Sequence, residues 1–172
     1  MADRARRIEL YLLRHADAGD PLVWAGTDAE RPLSAKGRRQ AERLGRHLAG
    51  LGFQPDAILT SPKVRATETA QIVASLLDRP VRVDERLAGP LDPDTIEGIL
   101  RDAGDPRRPV LVGHDPDFSE LVSALSGLRD PAMKKGALAR IDVERPLGSE
   151  AGMLRWLIPP DAVPDGSPAP DA

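Results

Sequence analysis

The chain contains no cysteine. That excludes disulfides, thiolate metal sites and every mechanism built on a cysteine nucleophile. Aromatic residues are scarce, with two tryptophans, one tyrosine and two phenylalanines, so stacking on nucleic-acid bases is not its business. Neither sign of charge dominates: 24 Lys and Arg face 27 Asp and Glu, a formal net charge of -3. A general polyanion binder would be basic, so any anion site must be a local cluster. No apolar run approaches the ~20 residues that span a membrane. Arg4, Arg6 and Arg7 ahead of Ile8–Leu13 imitate a secretion signal. Glu9 interrupts that run, Arg14-His15 ends it, and no small-residue cleavage site follows. A cytoplasmic protein with neither membrane nor nucleic acid as partner is expected. Histidine is rare enough to weigh singly: His15, His47 and His114.

What is present is enough for one domain with a real core, 172 residues in all. Residues 8–158 read as that domain. Residues 159–172, PPDAVPDGSPAPDA, lack periodicity and read as a disordered or loosely docked tail. Ile8–Leu13 fits a buried strand, and a polar loop follows from about Asp17 to Leu33. Ser34 caps a helix whose apolar face is Gly37, Ala41, Leu44, Leu48 and Leu51. Residues 56–60 form a second strand, and Ser61-Pro62 opens the next helix, burying Ala66, Ala70, Val73 and Leu77. Val81–Val83 is a short third strand. Asp92-Pro93 opens a helix carrying Ile96, Ile99, Leu100 and Ala103. Val110–Gly113 is a fourth strand, and Pro116 starts a helix with Phe118, Leu121, Val122 and Leu125. Leu138–Val143 and Met153–Ile158 read as two late strands, antiparallel to each other. Strands alternating with helices predict an α/β fold: a mostly parallel sheet with helices on both faces.

Ligands of such sheets bind beyond the carboxyl ends of the strands. Arg14-His15 follows the first strand, Thr60-Ser61 and then Arg65 follow the second, and His114 follows the fourth. Two arginines and two histidines therefore converge on one rim, with helix N-termini near Ser61-Pro62 and Pro116 turned the same way. Arginine grips phosphoryl oxygens bidentately. A neutral histidine is a nucleophile near pH 7. A second, protonated histidine can neutralise an equatorial oxygen in the transition state. No carboxylate cluster suggests a divalent metal.

These residues carry a resemblance. Leu13-Arg14-His15-Ala16 resembles the Arg-His-Gly signature of the histidine phosphatase superfamily, the phosphoglycerate mutase-like proteins. Residues 61–70, SPKVRATETA, match that family's Ser-Pro-x-x-Arg-Ala-x-x-Thr-Ala block at every defined position. Val112-Gly113-His114-Asp115-Pro116 resembles its late Gly-His block, and Arg31-Pro32-Leu33-Ser34 with Gly37 is similar to a segment of the SixA-type phosphohistidine phosphatases. The resemblance runs in order from Ile8 to Leu157. It implies a three-layer α/β/α sandwich, His15 as the phosphorylated nucleophile, a phosphate pocket of Arg14, Arg65 and His114, and no metal or organic cofactor. A phosphorylated protein bearing phosphohistidine, or a small phosphorylated molecule, is the implied partner.

Two departures bear on mechanism. Ala16 replaces the signature glycine, so a tight turn must accept a methyl group. Larger members, by resemblance, place a catalytic glutamate shortly after a stretch like residues 84–87, DERL, but here Ala88-Gly89-Pro90 follows. A phosphoramidate can release neutral imidazole and needs less protonation than an alkoxide, so the missing acid favours a P–N substrate. Asp17, Asp115 and Glu85 are the candidate substitutes. Plainer readings stand beside these. Arg14 and His15 could merely end a strand, Arg65 could pair with Glu68 on a solvated helix face, and His114 could hold a loop. His47 and the basic run of Lys36, Arg38, Arg39, Arg43 and Arg46 read as solvated surface, although that run could dock an acidic protein. Three functions follow in order: a phosphohistidine phosphatase acting on a protein, a small-molecule phosphomonoesterase or mutase, and a module that binds phosphorylated partners.

Overall fold

The structure is a computed structural model and describes residues 7–165. Ten principal elements follow one another: β1 (Arg7–Arg14), α1 (Ala35–Gly50), β2 (Ala57–Thr60), α2 (Val64–Leu77), β3 (Arg82–Val83), α3 (Pro93–Asp102), β4 (Pro109–Gly113), α4 (Asp117–Ser126), β5 (Leu138–Glu144) and β6 (Gly152–Ile158). They form one six-stranded sheet in the order β3-β2-β4-β1-β5-β6. The first four of that order run parallel, while β5 is antiparallel to both β1 and β6.

Alternation along β1 divides the core. Ile8, Leu10 and Leu12 join α3 and α4 residues such as Ile96, Leu100, Phe118 and Leu121 on one face. Tyr11 and Leu13 join Ala41, Leu44, Ala70 and Val73 of α1 and α2 on the other. A period of two in the strand and of 3.6 in the helices yields the three-layer α/β/α sandwich. The caps follow sequence logic where the side chain reaches. Ser34 accepts from the Gly37 amide, and Asp92 accepts from the Thr95 amide with Pro93 in the first turn.

Some boundaries differ from the sequence reading. α2 begins at Val64 rather than at Pro62, because Ser61 spends its hydroxyl on the Lys63 amide and on His114 instead of a helix cap. Leu51 sits past the last turn of α1 and is 68% exposed. Residues 159–165 carry a 3-10 turn at Pro160–Ala162 and bury Val163 among the α1 and α2 side chains. Val163 and the Arg43–Asp165 ion pair at 2.8 Å tie that segment to the α1 side of the sheet. Residues 166–172 of the expected tail lie outside the described residues.

The register sets the rim. Arg14 is paired with Gly113, and Thr60 with Val112. The carboxyl ends of β1, β4 and β2 therefore end level. The His15 amide donates to the Gly113 carbonyl at 2.9 Å and the Ser61 amide to the Val112 carbonyl at 3.0 Å, so the first residues beyond the strands stay knitted together.

Candidate active site

The four expected residues come together at this rim. The His15 and His114 rings lie 5.3 Å apart between centroids. Both guanidinium groups act electrostatically on His15, and Arg65 acts on His114 as well. His15, Arg65 and His114 are buried and Arg14 is half-buried.

His15 is held as one tautomer. Its Nδ1 lies 2.7 Å from the Ala16 carbonyl oxygen, which can only accept. Nδ1 thus carries the proton and Nε2 keeps its lone pair. Burial, aided by Arg65 and Arg14, pushes the imidazole down to about 4 from its ordinary 6.5, against the opposing hydrogen bond to Ala16. The ring is neutral at physiological pH. Ala16 itself is fully buried, and its amide donates to Thr69 Oγ1, which donates in turn to the Arg65 carbonyl. The methyl group that replaces the signature glycine is therefore accommodated.

His114 differs from expectation. The sequence reading makes the ring most useful when charged, but burial and then the neighbouring His15 push it down to about 3. Its Nε2 lies 2.7 Å from Ser61 Oγ, while its Nδ1 is buried without a partner. The other buried side-chain nitrogens without partners, among the described residues, are Arg14 Nε and Arg65 Nε. Buried polar atoms left unmatched cost about 1–3 kcal/mol each. All three sit on residues gathered at this rim.

Each arginine is aimed by the residues that hold its other end. Arg14 donates to the Met133 carbonyl at 2.7 Å. Arg65 does not pair with Glu68, which instead takes Arg38 at 3.0 Å and the Leu33 amide at 3.2 Å. Arg65 donates to Asp28, at 2.7 Å to its carbonyl oxygen and 2.9 Å to its carboxylate. Arg31 fastens the same loop, binding the Ala18 carbonyl at 2.9 Å and the Asp28 carboxylate at 3.3 Å. Partial burial pushes the Asp28 carboxyl up, but Arg65 and Arg31 outweigh it and hold it below the usual range. Asp28 is a fixed anion beside the pocket rather than a stored proton.

The candidate substitute acids fare no better. Asp17 accepts from the Ser34 hydroxyl and the Gly19 amide and closes the base of the loop. Asp115 accepts from the Ser119 amide and hydroxyl at the start of α4. Glu85 is exposed on the 3-10 turn after β3. No cluster of three or more His, Asp or Glu suited to a metal occurs among the described residues.

A family model for branch 1 of the histidine phosphatase superfamily matches residues 10–104. The chain belongs to that superfamily. An uncharacterized protein of Picosynechococcus is 36% identical over 122 residues, spanning 69% of this chain and 73% of its own length. Among solved structures, the protein histidine phosphatase SixA complexed with tungstate is similar with a TM-score of 0.77 at 23% identity, covering 90% of this chain and 98% of that one. The α-ribazole phosphatase of Shigella flexneri gives 0.68 at 20% identity, covering 89% and 97%. At such identities the likeness speaks for the fold.

Membership of the histidine phosphatases makes the protein a phosphatase and explains the ordered blocks of its sequence. It leaves Asp28 and Arg31 as residues whose positions sequence reasoning missed. Arg31 had a signal, the Arg-Pro-Leu-Ser segment. Asp28 had none, because its contact with Arg65 spans 37 positions. The spacing of Gly37 is explained too: a Cβ there would collide with the Asp17 carbonyl, so the loop closes against α1 only over a glycine.

Proposed function

We propose that this protein hydrolyses phosphohistidine on a protein substrate through a covalent phosphohistidine at His15, without a metal. The observation that carries the reading is the trio of unmatched buried nitrogens on Arg14, Arg65 and His114 around a neutral His15. His15 Nε2 attacks phosphorus, the P–N bond to a substrate ring already protonated on its other nitrogen breaks, and its electron pair leaves on what is then a neutral imidazole. Water then attacks the phosphorus on His15 and releases phosphate. Arg14, Arg65 and His114 hold the three equatorial oxygens as charge accumulates on them. The substrate class is supported by the lack of a ready proton donor. Asp17 and Asp115 are committed to backbone and hydroxyl groups, and Asp28 is held ionised. Imidazole tolerates that lack, whereas an alkoxide does not.

Rapid-quench reaction with a phosphohistidine peptide should trap phosphate on His15 in an acid-labile, base-stable linkage. His15→Ala should lose turnover and keep the fold. Phosphohistidine peptide should be preferred to p-nitrophenyl phosphate and phosphoglycerate. Wild-type turnover by His15→Ala would exclude covalent catalysis at His15, and a preference for phosphoglycerate would hand the site to a small-molecule phosphomonoesterase.

A further inference from the structure

The basic run on α1 is not a uniform solvated face. Arg38 turns to Glu68 at 3.0 Å and Arg46 to Glu42 at 3.7 Å. The other three, Lys36, Arg39 and Arg43, stand at i, i+3 and i+7 and so share one stripe of the helix. That stripe forms one wall of a cleft of about 540 Å³. Lys134 and Lys135, on the segment before β5, line it as well, and so does Arg14 of the catalytic rim. Six cations meet two carboxylates there, Asp17 and Asp161, in a chain whose net charge is -3. Among the described residues Arg39 and Lys134 form no ion pair, and Lys36 acts on Asp17 only through space. Lys135 is close enough to depress the His15 imidazole, so the cleft is continuous with the pocket electrostatically as well as through Arg14.

The cleft already takes carboxylates from its own chain. Arg43 holds Asp165 at 2.8 Å, with the aspartate 69% exposed, and Lys135 lies 3.8 Å from Asp17. Exposed pairs of this kind are weak and exchangeable. The loop that starts at Asp17 in the cleft and returns at Asp28 on Arg65 also carries Leu22 and Val23, 92% and 80% exposed. A small phosphorylated molecule is held by a few placed groups in a largely enclosing pocket. Cations drawn from separate elements, with exposed apolar residues on the neighbouring loop, fit a macromolecular surface better.

We propose that this cleft docks an acidic segment of the phosphoprotein substrate and so selects which phosphohistidine enters the pocket. The proposal deepens the function given above and rests on it for the nature of the substrate. Two assays separate the two. The first measures binding by fluorescence anisotropy of an unphosphorylated Asp/Glu-rich peptide and of a neutral peptide of equal length. Wild type should bind the acidic peptide about tenfold or more tightly, with affinity falling as salt rises. Lys36→Glu/Arg39→Glu should abolish that preference. The second measures p-nitrophenyl phosphate hydrolysis, which the double variant should retain within about threefold, since both side chains are exposed and reach the pocket only through solvent. Equal affinity for the two peptides, or an unchanged preference in the double variant, overturns the docking cleft whatever the catalytic result. Displacement of the peptide by single-stranded RNA of equal charge at equal concentration overturns a protein partner in favour of any polyanion. Failure of wild type to hydrolyse phosphohistidine, with the peptide preference intact, overturns the substrate reading and leaves the cleft standing.

Discussion

Acid should unfold this protein through two histidines that it keeps neutral. His15 is 5% and His114 7% exposed, and burial pushes their imidazoles down to about 4 and about 3. In the unfolded chain both return to the ordinary 6.5. Below that value the unfolded chain binds protons that the native chain refuses. Stability is therefore lost as pH falls from about 6.5 towards 4, and it is regained as pH rises. At pH 5 each ring has cost about 2 kcal/mol, and the pair about 4 kcal/mol. A domain of this size has about 5–15 kcal/mol to lose. Carboxylates begin to titrate in the same range, so the informative quantity is a difference between variants. Urea unfolding at pH 7.5 and pH 5 should show wild type losing about 4 kcal/mol more than His15→Asn/His114→Asn, and about 2 kcal/mol more than either single variant. An equal loss in wild type and the double variant would refute the reasoning. The rings would then be protonated in the native state, and the pocket would not be the dry site that keeps His15 available as a nucleophile.

Two further outcomes follow from the site. Hydrolysis of p-nitrophenyl phosphate should be unchanged by excess EDTA, because arginine supplies the charge that a metal would supply; loss of activity restored by added magnesium would contradict this. Asp28→Asn should raise the orthovanadate concentration for half-inhibition by about two- to fivefold, since the carboxylate is what aims Arg65; tighter inhibition would mean that Asp28 competes with the anion for Arg65 rather than orients it.

The parts of the fold that were legible in sequence are those governed by local period. The short apolar run Ile8–Leu13 reports a buried strand, and the helical spacing of Ala66, Ala70 and Val73 reports which face of α2 is buried. Ser34 and Asp92 were legible as caps because each bonds an amide three residues on. The pocket was legible because its four residues each follow a strand or open a helix, and parallel register brings those positions level. What failed depended on partners distant in sequence. Ser61 looks like a helix cap and is drawn instead to His114, 53 positions away. Arg65 has Glu68 one turn away on the same helix and takes Asp28 instead. Val163 sits in a Pro- and Asp-rich stretch and is nevertheless buried. The basic run looked uniform until Glu68, 30 positions on, drew Arg38 away from the stripe of Lys36, Arg39 and Arg43.

The neutral His114 fits the proposed chemistry better than a charged one would. A pocket that held two guanidinium groups and an imidazolium before substrate arrived would bear three positive charges against one partly exposed carboxylate, Asp28. Burial makes that arrangement expensive, and the protein avoids it by leaving the ring unprotonated. An arriving phosphoryl group changes the balance. A single negative charge 4 Å from the ring, at an effective dielectric constant of about 20, is worth about 4 kcal/mol. That is enough to lift the imidazole from about 3 to the neighbourhood of its ordinary value. The second negative charge of a phosphoryl dianion adds to this. His15 gains far less in usable proton affinity while its Nε2 faces phosphorus, because the lone pair that would take the proton is the one that attacks. On the proposed mechanism substrate would bring the charge that protonates His114 and spare His15. Two histidines that start neutral would thereby be sorted into an electrophilic partner and a nucleophile by the anion itself.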